Sequence, residues 1–191
     1  MESKPNPHLD ANAISQVLER SFTQAGQSIV ELSAEAPVLL VFLRHAGCSF
    51  CRETLADVAA AKPVIEGQRT RIILVHMGDS TELDQLLVKY GLSGLDRICD
   101  PQQQLYDVFG LKRGTVRQLF GWKVLKRGIF GGVVLRHGIG LAHADASQLP
   151  GAFLVDRCAI VRRFRHRSAA DRPDYLSLCA PASAGTSGPK S

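Results

Sequence analysis

No apolar run in the 191-residue chain approaches the ~20 residues needed to span a bilayer. The first residues, Met1-Glu2-Ser3-Lys4-Pro5, hold neither an apolar core nor a small-residue cleavage site, which argues against a secretory leader. A soluble, cytoplasmic protein with no membrane partner is therefore expected. No glycine-rich nucleotide fingerprint follows a strand-like run, so no organic cofactor is expected, and no segment repeats. The net charge of +5 sits largely in Lys112 to Arg136 and Arg157 to Arg172. Neither segment carries a recognition motif or interleaved exposed aromatics, so both read as solvated faces and no nucleic-acid partner is expected.

Cysteine is sparse and odd in number. Of five, only Cys48 and Cys51 form a close pair, while Cys99, Cys158 and Cys179 are scattered, which excludes the framework of a disulfide-stapled secreted domain. No second pair stands at zinc-ligand spacing, so no metal is expected. The three scattered cysteines read as small packed residues or tolerated thiols, with Cys158 in a tight turn.

What is present is an ordinary globular composition, 45% hydrophobic and 21% charged, enough for one domain over residues 11–181. Residues 1–10 and the Ser/Gly/Pro-rich 182–191 read as disordered ends. Ala11 to Ala25 has helical spacing, and Ser28 to Leu32 reads as a short strand. Pro37 to Leu43 is a continuous apolar run, the mark of a strand buried on both faces. From Ser49 to about Glu66 the apolar residues keep helical spacing, with Pro63 expected to kink or end the helix near Lys62. Arg71 to His76 reads as a second buried strand. Asp79 with Glu82 resembles a capping box opening a helix whose stripe is Leu83, Leu86, Leu87 and Tyr90, closed by Gly91. Asp100-Pro101 opens another, with Leu105, Val108 and Phe109 buried and Gly110 at its end. Residues 112–146 form a basic, partly helical insertion that carries Trp122, read as a core position. Gly151 to Asp156 and Ala159 to Phe164 form an antiparallel hairpin, and a last helix lies near Pro173 to Cys179. Strands alternating with helices imply an α/β sandwich.

The chemistry concentrates at Cys48-Ser49-Phe50-Cys51, where the buried strand becomes a helix. Thiols at i and i+3 across such a junction lie close enough for a disulfide, and the helix N-terminus favours a thiolate at Cys48. Cys48 is the expected nucleophile and Cys51 the resolving thiol. Arg44 and His45, just upstream, would help hold the thiolate if their side chains turn toward it. Two plainer readings compete: half of a zinc site, and two unremarkable thiols at a helix end. His76, at the end of a strand, is a secondary pocket candidate. The other histidines, including His166, receive no role.

Val38 to Leu55, VLLVFLRHAGCSFCRETL, resembles the active-site strand, loop and helix of thioredoxin-like proteins. Asp100-Pro101 through Tyr106 and Phe109-Gly110-Leu111, Gln148 to Asp156, and Ala170 to Tyr175 are similar to the peroxiredoxin-like branch. That branch groups with alkyl hydroperoxide reductase and thiol-specific antioxidant proteins and includes selenoprotein L-like members. The resemblance implies a three-layer α/β/α sandwich whose mixed central sheet ends in a β-hairpin and a C-terminal helix. It also implies a cis-proline at Pro150, lying against the nucleophilic sulfur, with Phe50 beside the substrate. His45 stands three before Cys48, where peroxiredoxins carry Thr or Ser, and Val41 stands where they carry Pro. The place of their peroxide-holding Arg falls near Pro150. The resemblance therefore implies a thiol-disulfide oxidoreductase with a disulfide or peroxide substrate and a cellular thiol as electron donor. The alternatives are a weak thiol peroxidase, with Cys48 peroxidatic and Cys51 resolving, and a non-catalytic redox-sensing or binding module.

Overall fold

A computed structural model of the chain describes residues 11–44, 49–111, 113, 148–168 and 171–181. The apolar run after Pro37 forms β1 (Val38–Phe42), buried at every position. It lies at the centre of a mixed sheet. β2 (Arg71–His76) runs parallel to it on one side, and β3 (Asp96–Cys99) runs parallel to β2 at the edge. On the other side β4 (Gly151–Asp156) is antiparallel to β1, and β5 (Ala159–Arg165) is antiparallel to β4, giving the order β3-β2-β1-β4-β5.

Alternation along β1 divides the interior into two cores, because successive side chains leave opposite faces of a strand. Leu39 and Val41 point into a cluster with Leu55, Val58, Leu83 and Tyr175, beneath α3 (Ser49–Gly67), α4 (Ser80–Lys89) and α6 (Tyr175–Cys179). Leu40 and Phe42 point the other way, into a cluster with Leu18, Ile29, Tyr106 and Phe153. That second layer is supplied by α1 (Ala11–Arg20), α2 (Ile29–Glu35) and α5 (Gln104–Val108). The result is the expected α/β/α sandwich, with its hairpin and closing helix. Among the described residues no helix is long and apolar enough to cross a membrane.

Four local expectations need correction. Ser28 to Leu32 is not a strand. Ser28 is the N-cap of α2, its hydroxyl accepting from the Glu31 amide while the Glu31 carboxylate accepts from the Ser28 amide at 2.8 Å. This reciprocal capping box outweighs the strand preference of Ile29 and Val30. Helix α3 runs through Pro63 to Gly67. A proline inside a helix costs about 3 kcal/mol, and the full burial of Ile65 against the sheet, two residues on, favours continuation. The helix foreseen at Pro101 starts at Gln104, after a left-handed Gln103. Asp100 still caps it, accepting from the amides of Gln104 at 3.0 Å and Leu105 at 2.8 Å. Finally, β3 is an additional strand. Its outer edge is partly closed by Gln24, whose amide donates to the Arg97 carbonyl at 3.1 Å and whose side chain accepts from the Arg97 amide.

The hairpin turn between β4 and β5 has positive φ at both central residues, 48° at Arg157 and 64° at Cys158. This matches the twist of the flanking strands, at the cost of left-handed backbone in two non-glycine residues. The disordered ends and nearly all of the basic insertion foreseen in the sequence, with Trp122, lie outside the described residues. Arg113 and Gln148 form an antiparallel bridge.

Candidate active site

At the end of β1 the chain passes through buried Leu43 and Arg44, and α3 opens at Ser49. His45 and Cys48 lie outside the described residues. Phe50 is half-buried in the first turn of α3, and Cys51 behind it is only 4% exposed. The Arg44 backbone N–H donates to Cys51 Sγ at 3.2 Å, tying the strand end to the head of the helix. A hydrogen bond into the sulfur favours its charged form over the thiol.

Two buried phenols flank this sulfur, and sequence reasoning gave neither a role. Tyr106, from α5, donates its hydroxyl hydrogen toward the carbonyl oxygens of Leu43 at 2.5 Å and Val75 at 3.1 Å. Burial holds this phenol well above its ordinary range, and the Cys51 sulfur adds to the effect. Tyr175, from α6, is likewise pushed above its ordinary range, by burial first and then by the Asp57 carboxylate, with a Thr54 hydrogen bond opposing. Arg172 holds α3 from the same side, paired with both oxygens of Asp57 and lying 3.6 Å from Glu53. The one signal for Tyr106 was a polar tip on an otherwise apolar helix face.

Pro150 is buried at the same edge of the sheet, since Gly151 is the register partner of Phe42. The expected cis bond is absent: the Leu149–Pro150 peptide is trans, the lower-energy form for an X–Pro bond. The Pro150 carbonyl accepts from the His166 amide at 3.3 Å, which brings a second buried residue without an assigned role to this edge. Gly151 has no room for a side chain. A Cβ there would meet Leu111 at 2.7 Å and the Phe164 carbonyl at 3.1 Å.

The secondary candidate stands at the end of β2, directly after Val75, the register partner of Phe42. His76 Nδ1 meets the Gly78 carbonyl at 3.1 Å, and its charged neighbours are Arg97, Asp84 and Asp79. Burial lowers its pKa, so the ring is neutral at physiological pH. Cys99 is exposed, and its thiol is pushed up by partial burial and the carboxylates of Asp100 and Asp79, against a Ser80 hydrogen bond. Cys179 is buried and pushed up to about 11, with Arg162 opposing. Neither has the surroundings of an activated thiolate. Cys158 is half-buried in the hairpin turn, against Ser33. Among the described residues no three His, Cys, Asp or Glu side chains gather as metal ligands.

A mixed five-stranded sheet with a sulfur seated at the head of the helix after its central strand defines a thioredoxin-like thiol protein. The chain belongs to the AhpC/TSA family, whose model matches residues 16–164, and it is a thiol-dependent oxidoreductase of the peroxiredoxin kind. Its structure is similar to peroxiredoxin Q of Xanthomonas campestris, at 13% identity over 79% of this chain and 83% of that one, with a TM-score of 0.55. Peroxidoxin BcpB of Mycobacterium tuberculosis is similar at 13% identity, 78% and 82% coverage and a TM-score of 0.54. A yeast mitochondrial 1-Cys peroxiredoxin is similar at 10% identity, 83% and 68% coverage and a TM-score of 0.56. At such identities the likeness is one of fold. No curated protein matches the chain.

Proposed function

We propose that the chain runs a dithiol–disulfide cycle in which Cys48 is the attacking thiolate and Cys51 the resolving thiol. The observation that carries this reading is the Arg44 N–H on the Cys51 sulfur at the head of α3. With a disulfide substrate, the Cys48 thiolate attacks one sulfur, forming a mixed disulfide and expelling the first thiolate product. The Cys51 thiolate then attacks the Cys48 sulfur and expels the second product, so two electrons pass to the substrate and the protein is left as the Cys48–Cys51 disulfide. A cellular thiol donor reverses the change. Arg44 and His45 support the thiolate, and Phe50 and trans-Pro150 border the substrate.

Family membership favours a second substrate, a peroxide. The Cys48 thiolate attacks one peroxide oxygen, the O–O bond breaks, and the alkoxide leaves with a proton as alcohol, so Cys48 becomes a sulfenic acid. Cys51 then displaces its oxygen as water to give the same disulfide. Turnover by this route is slow, because His45 stands where a hydroxyl would hold the peroxide. The structure of the yeast relative is described as a thiol-resolving mechanism via glutathione/thioredoxin systems. A donor of that kind, in a reducing cytoplasm, fits a cycle that must return to the dithiol.

Mass spectrometry after one equivalent of oxidant is the test. A Cys48–Cys51 disulfide is expected, and finding no such bond defeats the reading for both substrates. Reduction of a model disulfide without peroxide consumption assigns the first substrate, and peroxide turnover lost in Cys48→Ser assigns the second. A disulfide that forms with no turnover above background leaves a redox sensor.

A further inference from the structure

The peptide group between Leu43 and Arg44 is engaged at both ends. Its oxygen accepts from the Tyr106 hydroxyl at 2.5 Å, and its N–H donates to Cys51 Sγ at 3.2 Å. A phenol has one proton to give, although two carbonyls lie within its reach. Val75 O, the farther at 3.1 Å, already accepts the Leu43 N–H at 2.8 Å. The shorter contact therefore takes the proton to Leu43, and the two hydrogen bonds form one directed chain from phenol to peptide to sulfur.

Consecutive hydrogen bonds through an amide polarise one another, each strengthening its neighbour by roughly 10–30%. A donor on the Leu43 oxygen draws density from the peptide nitrogen and makes the Arg44 N–H a better donor to sulfur. The site is dry, since Leu43, Arg44, Cys51 and Tyr106 are all at most 5% exposed. Water therefore does not screen the chain, and the low local dielectric strengthens it. The phenol also keeps its proton throughout the range in which thiols titrate, since burial holds it well above its ordinary value.

We propose that Tyr106 is a positioning residue for Cys51, acting through the Leu43–Arg44 peptide to favour the Cys51 thiolate. This deepens the reading of Cys51 as resolving thiol and rests on it for its biological meaning. The thiolate is the form in which Cys51 attacks Cys48, and also the form in which it leaves when the disulfide is reduced. A tyrosine from α5 thus tunes the second step of the cycle through the backbone.

The test is a pH titration of Cys51 followed by NMR of 13C-labelled cysteine in the Cys48→Ser chain, with and without Tyr106→Phe. With Tyr106 replaced, the Cys51 midpoint moves to higher pH, so that its thiolate fraction below the midpoint falls about twofold. Cys158, whose amide is held by Ser33 in the β4–β5 turn and which takes no part in this hydrogen-bond chain, keeps its midpoint. An unchanged or lowered Cys51 midpoint overturns the proposal. A second variant guards against simple loosening: 3-fluorotyrosine at position 106 keeps the shape and gives a stronger donor, so the midpoint moves to lower pH. A shift in the same direction for both variants also overturns it. Neither measurement needs turnover or the Cys48–Cys51 disulfide, so the relay and the proposed cycle can fail separately.

Discussion

Ser33 and Cys158 meet across 125 positions of sequence, the Ser33 hydroxyl oxygen accepting the Cys158 amide N–H at 3.2 Å. The Ser33 carbonyl accepts the neighbouring Arg157 N–H at 2.9 Å. One fully buried residue of α2 therefore holds both left-handed residues of the β4–β5 turn. Ser33→Ala leaves the Cys158 amide without its acceptor and should cost about 1–2 kcal/mol in urea unfolding. Cys158→Gly relieves the left-handed backbone and should offset about half of that loss in the double variant. Additive effects no larger than 0.3 kcal/mol for either change, on the order of ordinary surface substitutions, would sink this account of the turn.

His76 should make stability fall in mild acid. Its folded-state pKa lies below the ordinary 6.5, mainly through burial, so the unfolded chain takes up a proton that the folded chain refuses. The associated stability is fully present above pH 6.5 and declines as pH falls below it toward the folded value. His76→Asn, which can still donate to Gly78, should flatten unfolding midpoints between pH 7 and 5 relative to the parent chain. Equal slopes in the two proteins would assign the acid sensitivity elsewhere.

Gly151→Ala probes the seam between the sheet and Leu111. The Leu111 side chain can shift, but the Phe164 carbonyl 3.1 Å away belongs to a paired strand and cannot easily give. A loss of about 1–3 kcal/mol is expected, as for other overpacked sites, and thermal unfolding measures it. Because Pro150 precedes this glycine, the same variant should slow the cycle more than an equally destabilising change in α1, such as Leu18→Val.

The scattered thiols should be slow partners. Cys179, buried and with its pKa near 11, should be alkylated last in the native chain at pH 8, behind Cys99, whose exposure partly compensates its raised pKa. Mass-resolved labelling gives the order directly. Cys179 reacting ahead of Cys99 would mean that α6 opens readily.

The central strand and the cysteine motif were legible because both are local. Val38 to Phe42 is apolar at every position, which only a strand covered on both faces tolerates, and two cysteines three apart announce themselves. Where the chain misled, a short-range signal was outweighed by a neighbour. Ile29 and Val30 suit a strand, yet Ser28 and Glu31 close a capping box around them. Pro63 should stop a helix, yet Ile65 beyond it is buried. β3 left no pattern because it is short and mostly incompletely buried. In the site, nothing local links Tyr106 to Leu43, 63 positions earlier, and no spacing rule reaches that far.

Tyr106 itself is held by rings. Phe42 meets it edge-on at 5.0 Å, and Phe42 in turn leans on Phe109 and Phe153 at 5.2 and 5.6 Å. This aromatic nest lies under α1, α2 and α5, on the side of β1 away from α3, and it reaches the thiol site through the Tyr106 hydroxyl on the Leu43 carbonyl. Heat that softens the nest will therefore be felt at the sulfur while the α3 layer is still intact. The protein's chemistry should then fade at a lower temperature than its helix content, as though the aromatic layer were the thermostat of the other side.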